Sequence, residues 1–103
     1  MAEIARALNL LGFARKAGKL CLGTRATLSA VQKGKVRLVI VASDVSENTE
    51  SKVRQEALAN KTPIICVSSK SELGRRLGRE ALGVLGVQDA TFAKSIQKYL
   101  RDH

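Results

Sequence analysis

GTRATLSAVQKGKVRLVIVASD, Gly23 to Asp44, runs a glycine-opened helix rich in basic and hydroxyl residues directly into an apolar strand. Residues 24–33 read as the helix, with Leu28 and Val31 inward and Gly34 closing it as a left-handed cap. Val36 to Ala42 is a nearly continuous β-branched run, the pattern of a strand covered on both faces, which requires helices on both sides of its sheet. The order also aims a helix N-terminus, with unpaired N–H groups and the positive end of its dipole, at whatever docks beside Gly23. An anion is the natural guest. With 18 Lys+Arg against 9 Asp+Glu, net charge +9 and pI near 10.2, a nucleic-acid backbone is the large anion that the composition favours.

Working outward, Ile4, Leu8 and Leu11 recur with alanines at 7, 14 and 17 at three- and four-residue spacing, marking an amphipathic helix ended by Gly18. Leu20 to Leu22 is a short strand candidate. Ser46 or Asn48 can cap a third helix reaching about Asn60, which Pro63 terminates, and Ile64 to Val67 reads as another buried strand. Ser69 and Glu72 have capping-box spacing and begin a short helix through Leu77. Val84 to Val87 is the last strand, and Asp89 caps a terminal helix that turns Phe92, Ile96, Tyr99 and Leu100 to the core. Helices alternate with strands throughout, so the expected architecture is α/β: a three-layer α/β/α sandwich around a small mixed sheet of about four strands. At 103 residues the chain is expected to be a single domain, 1–103, because two cores would each be too small.

Hydrophobic residues at 45% exclude a disordered basic tail. There is no apolar run of about 18 residues to span a bilayer and no secretory-signal pattern at the N-terminus, so the expected location is the cytoplasm. Cys21 and Cys66 sit in separate apolar runs and read as reduced thiols packed as small hydrophobes. His103, the only histidine, is the last residue, so neither a metal centre nor a histidine-based triad is expected, and no cofactor is implied. Gly12 and Gly18 miss the phosphate-loop spacing, and Gly74, Gly78, Gly83 and Gly86 follow a helix rather than a strand. Asp44, after the central strand, reads as a turn residue ordering its own loop, Asp44 to Ser46. The chain therefore reads as a non-enzyme.

Basic charge is concentrated in residues 1–37, which hold eight Lys/Arg against one acid, Glu3, for net +7; residues 38–69 carry −1 and 70–103 carry +3. Arg6, Lys52, Arg54, Lys61, Lys94 and Lys98 read as a solvated face. Lys16, Lys19, Arg25, Arg75, Arg76 and Arg79 flank glycines at element ends, where contact with a partner is the stronger reading. At the second helix, backbone N–H groups of Thr24 to Ala26, charge from Lys19 and Arg25, and hydroxyls of Thr27 or Ser29 are candidate contacts, with Thr24 also able to cap the helix. Aromatics are only 3% with no Trp, so a base-stacking platform of the RRM or OB kind cannot be built, and recognition must lean on shape, phosphates and guanidinium groups.

The succession of a Lys/Gly-rich turn, a strand, GT opening a helix that ends in KG, an LVIVA strand with a D loop, then TPII and ELGRRLGRE, resembles the kink-turn-binding ribosomal protein superfamily. DVSENTESK (44–52), ELG (72–74) and TFAKSI near the end look most like its bacterial YlxQ-type branch. The resemblance covers essentially the whole chain; each motif is weak, but their order and spacing are fairly specific. It implies binding to RNA sharply bent at an internal loop with sheared G·A pairs. The start of the second helix would enter the widened groove, and the loop after the fourth helix would close over extruded nucleotides. Gly23 and Thr24 match the helix-opening positions, while Arg25, Ala26 and Ser29 fall where archaeal members place Asn, Glu and Lys. This is a departure: Ala26 cannot accept a hydrogen bond from a guanine edge, Ser29 lacks the cation, and Arg25 can compensate through its planar fork. The second loop maps to Arg79, Glu80, Ala81 and Leu82, whose backbone and small apolar side chains could pack on a base. The implied protein is a non-catalytic binder of kinked structured RNA, ribosomal RNA included, without a membrane partner and monomeric when free. The alternatives are a basic protein-interaction module, or an accessory RNA-binding domain, as some RNA methyltransferases carry, without kink-turn selectivity.

Overall fold

A computed structural model describes residues 2–100; His103 lies outside them. The elements run α1 (Ala2–Lys16), β1 (Leu20–Leu22), α2 (Thr24–Gln32), β2 (Leu38–Val41), α3 (Glu47–Ala59), β3 (Ile64–Cys66), α4 (Lys70–Arg76), β4 (Val84–Val87) and α5 (Ala90–Leu100). The helices end where the local chemistry stops them: Gly18 and Gly34 take φ of 72° and 71°, which glycine adopts without penalty.

The sheet order is β1-β4-β2-β3, with β4 antiparallel to both neighbours and β2 parallel to β3. Side chains alternate across it as the two-residue period requires. Leu38 and Ile40 join Leu85 and Val87 beneath Leu8 and Leu11 of α1, Leu73 of α4 and Ile96 of α5. Val39, Val41 and Val84 join Ala30 and Val31 of α2 and Val53 of α3 on the other face. The three-layer sandwich is therefore α1, α4 and α5 over the sheet, with α2 and α3 beneath. Every β2 residue from Leu38 to Val41 is fully buried, as the unbroken apolar run requires.

β3 departs from the expected buried strand. It occupies a sheet edge, Ile64 and Ile65 are half-buried, and Cys66 is exposed. Cys66 is thus not a core thiol. Cys21 is half-buried, its Sγ 3.6 Å from the Gly86 carbonyl and 3.9 Å from Thr27 Oγ1. The structure buries Val31 as expected and packs half-buried Leu28 against the same cluster, and it also turns Thr27 fully inward beside Ala30 and Val31, widening the apolar face of α2.

Candidate nucleic-acid interface

In an antiparallel pair the end of one strand lies beside the start of the other. Leu22 pairs with Leu85, and the Gly23 N–H donates to the Val84 carbonyl at 2.8 Å, which seats the beginning of α2 against the beginning of β4. Gly23 does so at φ 100°, ψ 158°, a conformation essentially restricted to glycine. From there the first intrahelical bond of α2 runs from the Thr27 N–H to the Gly23 carbonyl at 3.0 Å. The amides of Thr24, Arg25 and Ala26 precede that bond. No side chain caps them and no acid stands in the first turn. Thr24 is the first helical residue, so its hydroxyl does not serve as the expected cap.

The starts of α3, α4 and α5 are closed by side chains. Ser46 Oγ accepts from the Thr49 N–H at 3.2 Å, Ser69 Oγ from the Glu72 N–H at 3.1 Å, and Asp89 Oδ2 from the Phe92 N–H at 2.8 Å. Glu72 does not complete a capping box with Ser69. Its carboxylate accepts from Arg75 Nε at 3.2 Å and from Arg76 Nε at 3.1 Å, and these bonds hold it below its ordinary pKa. Arg76 also donates to Asn9 Oδ1 at 2.8 Å, tying α4 to α1.

The segment between α4 and β4 doubles back along α4. The Arg79 N–H donates to the Gly74 carbonyl at 2.7 Å, and the Leu82 N–H donates to the Lys70 carbonyl at 3.0 Å. Gly74 permits this: a Cβ there would lie 2.8 Å from both the Ala81 Cα and the Arg79 carbonyl oxygen. The Ala42 N–H donates to the Gly83 carbonyl, and Asp44 Oδ1 accepts the Lys70 N–H, each at 2.8 Å. Asp44 thus ties the end of β2 to the start of α4, rather than ordering its own loop as expected.

The fold accordingly brings Gly23, Thr24, Arg25, Ala26 and Ser29 to the same end of the sheet as the 79–83 segment, through the Gly23 to Val84 bond. Arg25, Ala26, Arg79, Glu80 and Ala81 are exposed; Gly23, Thr24 and Ser29 are half-buried. Arg25 and Arg79 have no ion-pair partner among the described residues. Three of the expected positions behave differently. Leu82 is 3% exposed and belongs to the core, so its side chain is not available to a base. Thr27 is fully buried and cannot offer its hydroxyl to a ligand. Lys19 sits at the opposite end of β1, where its carbonyl accepts the Gln88 N–H at 2.8 Å. Four residues of extended chain separate it from Gly23 by about 13 Å. Gly74 was the residue that sequence reasoning missed; a glycine inside a short helix, where it costs about 1 kcal/mol, was the available signal of a close backbone approach.

Among the described residues, no group of three or more His, Cys, Asp or Glu could hold a metal ion, and no helix is long and apolar enough to cross a membrane. The arrangement defines a class: a small α/β/α sandwich that presents one open, cation-flanked helix start beside a backbone-rich loop. Residues 5–97 match the model of the ribosomal protein L7Ae/L30e/S12e/Gadd45 family. The chain is 34% identical over 95 residues to the RNA-binding protein YlxQ of Enterococcus faecium, covering 92% of this chain and 91% of that one. It is 32% identical over 82 residues to the large ribosomal subunit protein eL30 of Dictyostelium discoideum, covering 78% and 73%. A solved protein of unknown function from Bacillus halodurans superposes with TM-score 0.91 at 34% identity, covering 94% of this chain and 98% of that one. The Giardia lamblia 15.5kD RNA binding protein shares the fold, with TM-score 0.81 at 20% identity over 99% of this chain and 88% of that one. The chain belongs to the ribosomal protein L7Ae/L30e/S12e/Gadd45 family.

Proposed function

We propose that this protein is a non-catalytic RNA-binding protein that grips RNA sharply kinked at an internal loop, and that it does so as a monomer in the cytoplasm. One observation carries the reading: the Gly23 to Val84 hydrogen bond sets three uncapped amides, flanked by Arg25, at the end of the sheet that also carries the exposed residues Arg79 to Ala81. The helix start receives a phosphate or a base-edge acceptor through the Thr24, Arg25 and Ala26 amides. Arg25 adds a planar donor fork suited to a guanine edge or a phosphate, and Ser29 adds a hydroxyl one turn along. Arg79, Glu80 and Ala81 close over nucleotides displaced by the kink, with the Leu82 amide fixed to Lys70 beneath them. Lys19 contributes long-range attraction from the far end of β1 rather than a contact. A bent duplex fits this surface because phosphates from both arms converge on a site with few aromatic rings.

The relatives named as RNA-binding protein YlxQ support the RNA partner. The discriminating measurement titrates the protein with a kink-turn RNA and with a straight duplex of equal length over a series of salt concentrations. Preference for the kinked RNA is expected to persist as salt rises. Equal affinities that fall together overturn the reading, because phosphate binding without shape selectivity is strongly salt-dependent.

A further inference from the structure

α1 carries a second cation-rich surface that the kink-binding reading does not use. Phe13 is 60% exposed, against the tendency of large aromatics to be mostly covered. It lines two clefts. One, of about 380 Å³, is lined by Leu8, Asn9, Gly12, Arg15, Lys16 and Arg76 together with Phe13. The other, of about 260 Å³, is lined by Arg6, Asn9, Leu10, Ser95 and Tyr99 together with Phe13. No carboxylate lines either cleft. Gly12 leaves open space in the first cleft, since a Cβ there would meet nothing within 4 Å outside its chain neighbours. Lys16 has no ion-pair partner among the described residues.

This surface joins the loop already assigned to RNA. Arg15 Nη1 donates to the Leu77 carbonyl, and Gly78 keeps the path clear, because a Cβ there would stand 2.6 Å from that nitrogen. Arg79 follows directly. We infer that unpaired nucleotides flanking the kinked helix leave the loop at Arg79, pass their phosphates along Arg15 and Lys16, and stack a base on Phe13. The inference rests on the kink-binding reading for the position of the RNA. The ring supplies a π-face that any base can cover, and the guanidinium and ammonium groups track the backbone. An acidic amphipathic peptide is the competing occupant, but a docked helix needs several apolar anchors in register, and Phe13 is the one large exposed apolar side chain here.

The test compares a flush-ended kink-turn RNA with the same RNA carrying a six-nucleotide single-stranded extension on either strand. One extension is expected to tighten binding to the native protein by about tenfold, the worth of one stacked base. Phe13→Ala should abolish that gain while leaving the affinity for the flush-ended RNA unchanged; Phe13→Leu, which retains apolar bulk without a π-face, should lose most of it. A gain that survives Phe13→Ala, or no gain with either extension, overturns the inference. So does an acidic peptide that binds natively and loses binding on Phe13→Ala when the extensions have no effect. If native protein fails to bind the flush-ended RNA, the kink reading falls separately. A ten-nucleotide single strand at low salt then decides the Phe13 site: weakening of at least fivefold by Phe13→Ala supports it, and equal binding overturns it.

Discussion

The start of α2 and the start of α4 are built from the same parts and finished in opposite ways. At α4, Ser69 Oγ takes up the Glu72 amide, and a first-turn acid satisfies the dipole while engaging Arg75 and Arg76. At α2, a glycine supplies the turn, no side chain takes up an amide, and the first turn holds Arg25 where an acid would be stabilising. A start left open, and flanked by a cation, gives up the local stability that a cap and a first-turn acid supply. The two starts share one end of the sheet, since the segment leaving α4 lies on Gly74 and runs into β4, where the Val84 carbonyl accepts the Gly23 N–H.

The strongest way to break the pairing is Gly74→Ala. In an exposed helix this change is stabilising, but here the methyl group meets backbone of Arg79 and Ala81 at 2.8 Å. Urea denaturation should show a loss of about 1–3 kcal/mol, with weakened RNA binding from the displaced loop. Next, Arg25→Ala should weaken the kinked complex by about 1–3 kcal/mol, measured by calorimetric titration; an unchanged dissociation constant removes Arg25 from the site. Ser69→Ala should cost about 1 kcal/mol of stability, since it strips the capped end of its acceptor, whereas Thr24→Ala, at a position that caps nothing, should cost much less. Arg25→Glu gives opposite signs in two assays: RNA binding is lost, while thermal stability rises by about 0.3–1 kcal/mol through the helix dipole. The smallest effect concerns pH. The folded-state pKa of Glu72 is lowered, so its contribution is present above the ordinary value of 4.5 and declines as pH falls through the lower folded value. Protection factors of the Glu72 and Leu73 amides, taken relative to the intrinsic exchange rate at each pH, should fall as pH drops over that range in the native protein and change less in Glu72→Gln, with Thr27 unaffected in both.

What was legible in the sequence is what periodicity and local chemistry control. β2 announced its two-sided burial because every residue from Leu38 to Val41 is apolar, and Ser69 and Asp89 announced their caps because capping is a short-range bond, while the choice between Ser46 and Asn48 for α3 needed the structure, which selects Ser46. Gly23 and Gly34 could be placed because positive φ leaves few other choices. The edge position of β3 was not legible, since an Ile-Ile-Cys run reads the same at a margin as at a centre, and only the order β1-β4-β2-β3 distinguishes them. Loops have no period to read, which is why Leu82 could be taken for a surface group although it lies in the core. In α2, Leu28 packs against the core as its apolarity suggests, but the burial of Thr27 was hidden by its polarity; its hydroxyl is accommodated near Cys21 Sγ. Lys19 illustrates a further limit. Four residues are near in sequence, but an extended strand carries them to opposite ends of the sheet.

The central placing of β4 has a consequence for how the molecule is made. β1 and β2 are not neighbours; each finds its antiparallel mate only when Val84 to Val87 slides between them. During synthesis, therefore, a nascent chain that stops short of this strand has a gap in the middle of its sheet, and Gly23 has no Val84 carbonyl on which to anchor. Long-range closure of this kind is the slow part of assembly. The anchor of Gly23 and the last interior strand therefore arrive together.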